Sequence, residues 1–263
     1  MATNGKPRLA VYKLSSCAGC QLQILNLEDV LLDIAGAVEI AHFPMASRQM
    51  LSGPYDIGFV EGAVTEPEEI NKVKEARRDC RVLVALGSCA AFGGLPSLKN
   101  RWPQWEVERR VYPRPELIHS VAARPVGAYV RVDAILRGCP IDPDEFLELV
   151  KAVLIGVRPR LNAHSLCLEC RLQEVGCLFD KSGSGCMGPI TAGGCGALCP
   201  GLGRACEGCR GPAEGANLAG FARLLAAKGY PRQRIVDHFQ KYAGAEPAMV
   251  ATATALAWEE AQG

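Results

Sequence analysis

The sequence lacks several features that would place it in a common class of protein. No stretch approaches the ~18 consecutive apolar residues of a membrane-spanning helix, so we expect no membrane span. The 29 lysines and arginines are balanced by 28 acidic residues, which gives no electrostatic reason to expect nucleic acid or an anionic membrane as a partner. The segment after Met1 has no long apolar core and no small-residue cleavage site, so we expect a cytoplasmic location.

Cysteine, by contrast, is abundant, with 13 among 263 residues. Disulfides are rare in a reducing cytoplasm, where clustered cysteines more often bind metal or carry redox chemistry. The cysteines fall into two groups: five lie before residue 140, and eight lie between Cys167 and Cys209. The surrounding secondary structure decides what each group can do.

The first part of the chain alternates between strand-like and helix-like segments. Strands are predicted at residues 8–14, 38–43, 55–60, 81–86 and 129–136. Helices are predicted at 21–34 and 142–154, and a third is predicted to begin with Thr65 as its N-cap, Pro67 in its first turn and Glu68 three residues on. This alternation predicts an α/β fold with a flavodoxin-like, doubly wound parallel sheet over residues 1–157.

The remaining residues, 158–263, have a different character. Eight cysteines and ten glycines lie between Cys167 and Cys209, with almost no periodicity. Such a segment cannot bury a conventional apolar core, so we expect a small irregular domain that bound metal orders. Two helices are predicted after it, at 217–228 and 232–243, followed by a tail of small residues.

Four of the first five cysteines lie where predicted strands end. Cys17 and Cys20 follow the first strand, Cys89 follows the strand at 81–86, and Cys139 follows the last strand. Because the carboxyl ends of parallel strands meet at one edge of a sheet, we expect these four thiols to converge. Cys80, at the end of a predicted helix, is interpreted as a packing residue.

Four converging thiolates suit either a [4Fe–4S] cluster or a structural zinc ion. In chain order, the later cysteines form two more sets of four: Cys167, Cys170, Cys177 and Cys186, then Cys195, Cys199, Cys206 and Cys209. Three closed zinc sites would explain stability alone, whereas three clusters would make a path for electrons. A redox dithiol at Cys17 and Cys20 would suit a strand–helix junction but leaves the other cysteines unexplained. The residues by themselves leave both zinc and iron–sulfur open.

Taken together, the motifs resemble the small subunit of [NiFe]-hydrogenases over nearly the whole chain. The resemblance rests on SSCAGCQLQIL at 15–25, VEGAV at 60–64, GSCAAFGG at 87–94, RGCP at 137–140 and the CLECR…GCRG run at 167–211. Gln21, the all-cysteine second half and the missing export signal are most similar to the cytosolic NAD(P)-linked group, the delta subunits of bidirectional hydrogenase or sulfhydrogenase complexes.

The resemblance implies three [4Fe–4S] clusters. It assigns the proximal cluster to Cys17, Cys20, Cys89 and Cys139, the medial cluster to Cys195, Cys199, Cys206 and Cys209, and the distal cluster to Cys167, Cys170, Cys177 and Cys186. His164 stands at H-x2-C spacing before the distal set, but a complete set of cysteines makes it redundant as a ligand. No FMN is expected in this chain, because cysteines occupy the first strand–helix loop where a phosphate-binding loop would otherwise lie.

Glu61, in the VEGAV motif, is open to two interpretations. It is expected at a strand end near the proximal loops, either as a proton or hydrogen-bonding group at the subunit boundary or as a carboxylate that caps backbone amides.

The implied function is electron transfer. Electrons from the nickel–iron site of a large subunit would pass through the clusters to flavin- and iron–sulfur-containing diaphorase subunits that reduce NAD(P)+. Three alternatives remain: a small subunit of an F420- or heterodisulfide-reductase-linked hydrogenase, the proximal-cluster subunit of a respiratory NADH dehydrogenase, and a zinc-stabilised interaction protein. The NADH dehydrogenase subunit shares only the first domain and has adjacent cysteines in its first loop.

Overall fold

The structure is a computed structural model that describes residues 5–28, 30, 34, 36–181 and 183–261, the last four of these by backbone only. The chain folds as two compact units, Met1–Arg160 and Leu161–Gly263. The predicted domains, 1–157 and 158–263, stay a prediction, and each compact unit is described by itself.

The first unit contains a five-stranded sheet in which every neighbouring pair is parallel. Its strands are β1 (Arg8–Lys13), β2 (Glu39–His42), β3 (Tyr55–Glu61), β4 (Cys80–Leu86) and β5 (Ala134–Leu136). Their order across the sheet, β2-β1-β3-β4-β5, is the doubly wound order predicted from the sequence, and it confirms the fold class. The two most apolar strands, β3 and β4, lie at the centre because both of their faces are covered.

Five α-helices whose bounds the structure describes in full connect and flank these strands. They are α1 (Gly19–Leu25), α2 (Pro67–Asp79), α3 (Gly87–Phe92), α4 (Gln104–Val111) and α5 (Pro143–Leu154). Short 3-10 helices lie at Leu95–Arg101, Pro115–Leu117 and Val126–Ala128. The start of α5 follows its prediction, because the Asp142 side chain accepts hydrogen bonds from the backbone N–H groups of Asp144 and Glu145.

Three local predictions were wrong in detail. The helix predicted at 21–34 is interrupted: α1 ends at Leu25, Glu28 has a left-handed backbone (φ +46°), and residues 30 and 34 are helical again, while residues 29 and 31–33 of that prediction lie outside the described residues. The last strand is only three residues long, because it pairs only with the last three residues of β4. Helix α2 has Glu66 rather than Thr65 as its N-cap, and Thr65 N–H instead donates to the Glu69 carboxylate at 2.7 Å.

Cys80 begins β4 and is buried, with 4% of its surface exposed. A Cβ atom added at Gly58 on the neighbouring strand would collide with the Cys80 thiol, so the thiol fills the space that this glycine leaves. On the opposite side of the sheet, Phe59 contacts Phe146 of α5 with ring centroids 5.1 Å apart. Cys80 therefore packs in the apolar core, as expected.

The second unit has little regular structure before residue 217. Its first half contains three short helices, α6 (Leu166–Leu172), α7 (Leu178–Lys181) and α8 (Leu198–Gly201), joined by loops with two isolated bridges. Its second half contains α9 (Leu218–Ala227), α10 (Arg232–Lys241) and α11 (Pro247–Ala261). The first two of these follow the prediction; α11 lies in the tail of small residues, for which no helix or strand was predicted. No helix in the described part of the chain has both the length and the apolar character needed to cross a bilayer.

Candidate functional site

The first candidate site lies at the carboxyl edge of the parallel sheet. Cys17 follows β1, and Cys20 lies in α1; Cys89 lies in α3 directly after β4, and Cys139 follows β5. Gly87, directly after β4, lies close to both the Cys20 loop and the Cys139 loop. A Cβ atom there would collide with the Cys20 thiol and lie 3.3 Å from the Gly138 carbonyl oxygen.

The four thiols of this edge interact electrostatically. Burial and then the Glu61 carboxylate raise the pKa of Cys20 well above its usual range, with smaller contributions from Cys89 and Cys139. Burial and then Cys139 raise the pKa of Cys89 to about 12, and burial and then Cys17 raise that of Cys139. The structure thus brings together the four cysteines that the sequence predicted to converge. A metal that binds here must displace the protons that the raised pKa values of Cys20, Cys89 and Cys139 favour.

Glycines provide the room that these thiols occupy. Gly94 has a positive φ (+52°), and a Cβ atom there would lie 2.6 Å from the Cys89 sulfur and 2.7 Å from its Cα. Any other residue would be strained at this φ and would also push the Cys89 thiol out of place.

Glu61 fixes the loop that carries Cys20. It is the last residue of β3 and is 2% exposed. Its two carboxylate oxygens accept hydrogen bonds from Cys20 N–H at 3.0 Å and from the Gln21 side-chain amide at 2.5 Å. Of the two interpretations of Glu61, the structure shows the capping of a backbone amide.

The second candidate site is a cavity in the second unit. Its volume is about 470 Å³, and its walls include all four thiols of one predicted set, Cys167, Cys170, Cys177 and Cys186. The rest of the wall combines apolar side chains, among them Leu168 and Phe179, with the charged side chains of Arg171 and Asp180. A Cβ atom at Gly188 would lie 3.5 Å from both the Cys167 and Cys186 sulfurs, so both thiols lie beside this glycine.

The last four cysteines are connected differently. Burial raises the pKa of the Cys195 thiol, although the nearby backbone N–H groups of Leu198 and Ala197 lower it, and Cys199, in α8, is exposed. Burial raises the pKa of the Cys206 thiol, and its neighbours Cys186 and Cys209 raise it further. The backbone N–H of Cys206 donates to the Cys186 sulfur at 3.3 Å, which ties this set to the cavity.

These contacts bring Cys206 and Cys209 together but do not by themselves join them to Cys195 and Cys199. Within the residues that the structure describes, no three cysteine, histidine, aspartate or glutamate side chains are grouped closely enough to hold a single metal ion.

Two residues of this region were missed from the sequence. Glu169, between two cysteines of α6, accepts hydrogen bonds from the backbone N–H groups of Gly194 and Ala197, and it contacts His164. Arg210 is 2% exposed and donates from Nε to the Gly193 carbonyl oxygen at 2.6 Å. Burial of charged residues inside a cysteine-rich motif would have been a signal, but it is visible only in the fold.

Comparisons with known proteins identify relatives of the chain. The profile of a family described as "NADH ubiquinone oxidoreductase, 20 Kd subunit" matches residues 17–153. The chain is 36% identical to the sulfhydrogenase 2 subunit delta of Pyrococcus furiosus over 83% of this chain and 92% of that protein. It is 29% identical to a subunit of the F420-non-reducing hydrogenase vhu of Methanocaldococcus jannaschii over 88% of this chain and 91% of that protein.

A solved structure extends the comparison. A chain of an NAD+-reducing [NiFe]-hydrogenase in the H2-reduced state superposes with a TM-score of 0.56 at 29% identity, covering 60% of this chain and 96% of that one. The family profile and the sulfhydrogenase relative settle the membership: the chain belongs to the family of the 20 kDa subunit of NADH ubiquinone oxidoreductase, and within it to the small subunits of hydrogenases.

Proposed function

We propose that this chain is the electron-transfer small subunit of a soluble [NiFe]-hydrogenase. It would relay electrons between the nickel–iron site of a large subunit and a flavin-containing NAD(P) diaphorase through three [4Fe–4S] clusters. The convergence of Cys17, Cys20, Cys89 and Cys139 at one sheet edge carries the proposal, in a chain with close sulfhydrogenase and hydrogenase relatives. A bound [4Fe–4S] cluster supplies reversible one-electron chemistry at a potential that its surroundings set.

The first site has the donors and the space that a cluster needs. It offers four thiols, and the glycines beside them leave no side chain in the way. Backbone N–H groups point at three of the sulfurs: Gly19 at Cys17 (3.4 Å), Ile141 at Cys20 and Leu95 at Cys89. Such bonds stabilise the thiolate form and tune the reduction potential of a bound cluster.

The cavity of the second unit favours a cluster over zinc. A tetrahedral zinc ion with Zn–S bonds of about 2.3 Å requires its four sulfurs to lie about 4 Å apart, with no space between them. Here Cys167, Cys170, Cys177 and Cys186 line a cavity of about 470 Å³ together with other side chains, which leaves room beside the thiols for a group larger than a single ion. We assign this set to the distal cluster and the set of Cys195, Cys199, Cys206 and Cys209 to the medial one.

The hydrogen bond from Cys206 N–H to the Cys186 sulfur supports adjacent medial and distal sites. A backbone amide of one ligand set would then bond to a ligand of the other. Both Cys186 and Cys206 are buried, which lowers the polarity around this contact.

A second candidate function keeps the clusters and changes the electron acceptor. The match to the NAD+-reducing hydrogenase chain covers 96% of that chain but only 60% of this one. The match to the F420-non-reducing hydrogenase relative covers 88% of this chain. The cysteine-rich second unit is therefore better accounted for by the latter relative. This favours, as the alternative, a small subunit whose complex passes electrons to a heterodisulfide reductase or another non-pyridine acceptor.

Metal analysis and partner identification test both functions. Anaerobically purified protein should contain about twelve irons and as many acid-labile sulfides per copy of this chain. Zinc without sulfide would overturn the cluster assignment. H2-dependent reduction of NAD+ or NADP+ by the co-purified complex supports the diaphorase partner, and its failure with retained H2-dependent viologen reduction supports the alternative acceptor.

The Cys17→Ala variant tests the first site separately. It should lose one cluster signal in electron paramagnetic resonance and uncouple H2 oxidation from every acceptor beyond the large subunit. A variant that still couples the two at the wild-type rate contradicts the assignment.

A further inference from the structure

Glu169 lies in α6 between Cys167 and Cys170, with 12% of its side chain exposed. Its Oε1 atom accepts a hydrogen bond from Gly194 N–H and lies 3.2 Å from His164 Nε2. Its Oε2 atom accepts one from Ala197 N–H at 3.1 Å. A side chain from one ligand set therefore binds a loop more than twenty residues away.

That loop carries Cys195, the first cysteine of the other set. The two amides that Glu169 binds flank this cysteine on either side, and Ala197 N–H is also directed at the Cys195 thiol. Ala197 has a left-handed backbone (φ +51°), which is unfavourable for a residue other than glycine. The loop thus depends on outside contacts to keep its conformation, and Glu169 supplies two of them.

Gly193 packs closely against the Glu169 carboxylate and the His164 ring. A Cβ atom at Gly193 would lie 2.5 Å from Glu169 Oε1 and 2.6 Å from His164 Nε2. On its other side, the Gly193 carbonyl accepts the hydrogen bond from Arg210 Nε, next to Cys209. The segment from Gly193 to Ala197 is therefore held by one residue that precedes it in the chain, Glu169, and by one that follows it, Arg210.

We propose that Glu169 is a positioning residue shared by both ligand sets of the second unit. It braces the loop that presents Cys195, and it places a carboxylate beside a ligand of each set. A carboxylate there opposes the extra negative charge of a reduced cluster, so it lowers both reduction potentials. This second effect rests on the proposed function, while the bracing does not.

Two substitutions, made in the complete complex, separate the two effects. Glu169→Ala removes the acceptors, and Glu169→Gln keeps one acceptor oxygen but removes the charge. Glu174→Gln is the matched control, because it removes an exposed carboxylate from the turn that follows the same helix. The readouts are iron and sulfide content relative to wild type, and potentials from redox titrations followed by electron paramagnetic resonance.

We expect Glu169→Ala to lose about four irons, one cluster, while the signal of the first site is kept. We expect Glu169→Gln to raise the potentials of the two second-unit clusters and leave that of the first site unchanged, as the control should leave all three. If Glu169→Gln also loses iron, the loss supports the bracing, and the remaining second-unit cluster reports the shift.

Full metal content in Glu169→Ala would overturn the bracing, and unchanged potentials in iron-loaded Glu169→Gln would overturn the electrostatic effect. Gly193→Ala perturbs the same contact from the opposite side and should also lose metal; full retention there counts against the bracing. If wild type holds zinc and no sulfide, the proposed function fails, but loss of zinc in Glu169→Ala still decides the bracing.

Discussion

Replacing Glu61 by alanine removes the single side chain that satisfies two buried donors. Cys20 N–H and the Gln21 side-chain amide both bond to this carboxylate, and Gln21 and Glu61 are only 1% and 2% exposed. A buried donor left without an acceptor costs about 1–3 kcal/mol, so two such donors cost about 2–6 kcal/mol. For a chain of this size, each kcal/mol lowers the melting temperature by about 2–4 °C.

Thermal unfolding under anaerobic, reducing conditions measures the effect. We expect Glu61→Ala to melt at least ~4 °C below wild type, and Glu75→Ala, an exposed carboxylate on α2, to melt within about 1 °C of it. The double variant Glu61→Ala with Gln21→Ala should be less destabilised than the sum of the single variants, because it removes one of the orphaned donors together with its acceptor.

Two results would contradict this role of Glu61. A Glu61→Ala melting temperature within 1 °C of wild type, or strict additivity in the double variant, would show that water or a shifted backbone satisfies both donors. The carboxylate would then not hold the Cys20 loop.

Two further predictions concern the sheet around this site. The Asp133 carboxylate accepts from Leu83 N–H and Arg77; burial alone would raise its pKa, but these bonds outweigh burial and lower it. A lowered folded-state pKa contributes stability above the unfolded-state pKa, and this stability is lost as pH falls through the folded-state value. Asp133→Asn should therefore flatten the acid side of the curve of stability against pH. An unchanged curve would contradict this. Cys80→Ala should lower the free energy of unfolding by about 1–2 kcal/mol and leave the iron content unchanged. Cys89→Ala, by contrast, should lose one cluster. Loss of iron from Cys80→Ala would identify Cys80 as a ligand.

The first unit was predictable because its chemistry follows its topology. Continuous apolar runs such as that of β4 can only be central strands, and parallel pairing sends every strand end to the same edge. Cysteines directly after those ends had to meet. The errors occurred where the signal was local and weak: the helix after Gln21 stops early, and the N-cap of α2 lies one residue later than predicted.

The missed helix α11 has a physical reason of its own. Its sequence is rich in alanine and threonine, so the apolar face is made of Met249, Ala253 and Leu256 rather than of large side chains. Alanine favours the helix strongly, but it gives almost no amphipathic contrast. Contact with α10 reveals the buried face, and composition did not.

The second unit shows why its ligand sets could be listed but not arranged from sequence. No sheet dictates where its loops go; instead, individual polar side chains capture backbone groups far along the chain. Glu169 does so for Gly194 and Ala197, and Arg210 does so for Gly193. Each such contact is one of many that the residues permit, and only the folded chain selects it. Since these contacts surround thiols that must lose protons to bind metal, the order of this unit and its loading are expected to be coupled: removing the metal should loosen the loops that Glu169 and Arg210 hold, while the parallel sheet stays folded.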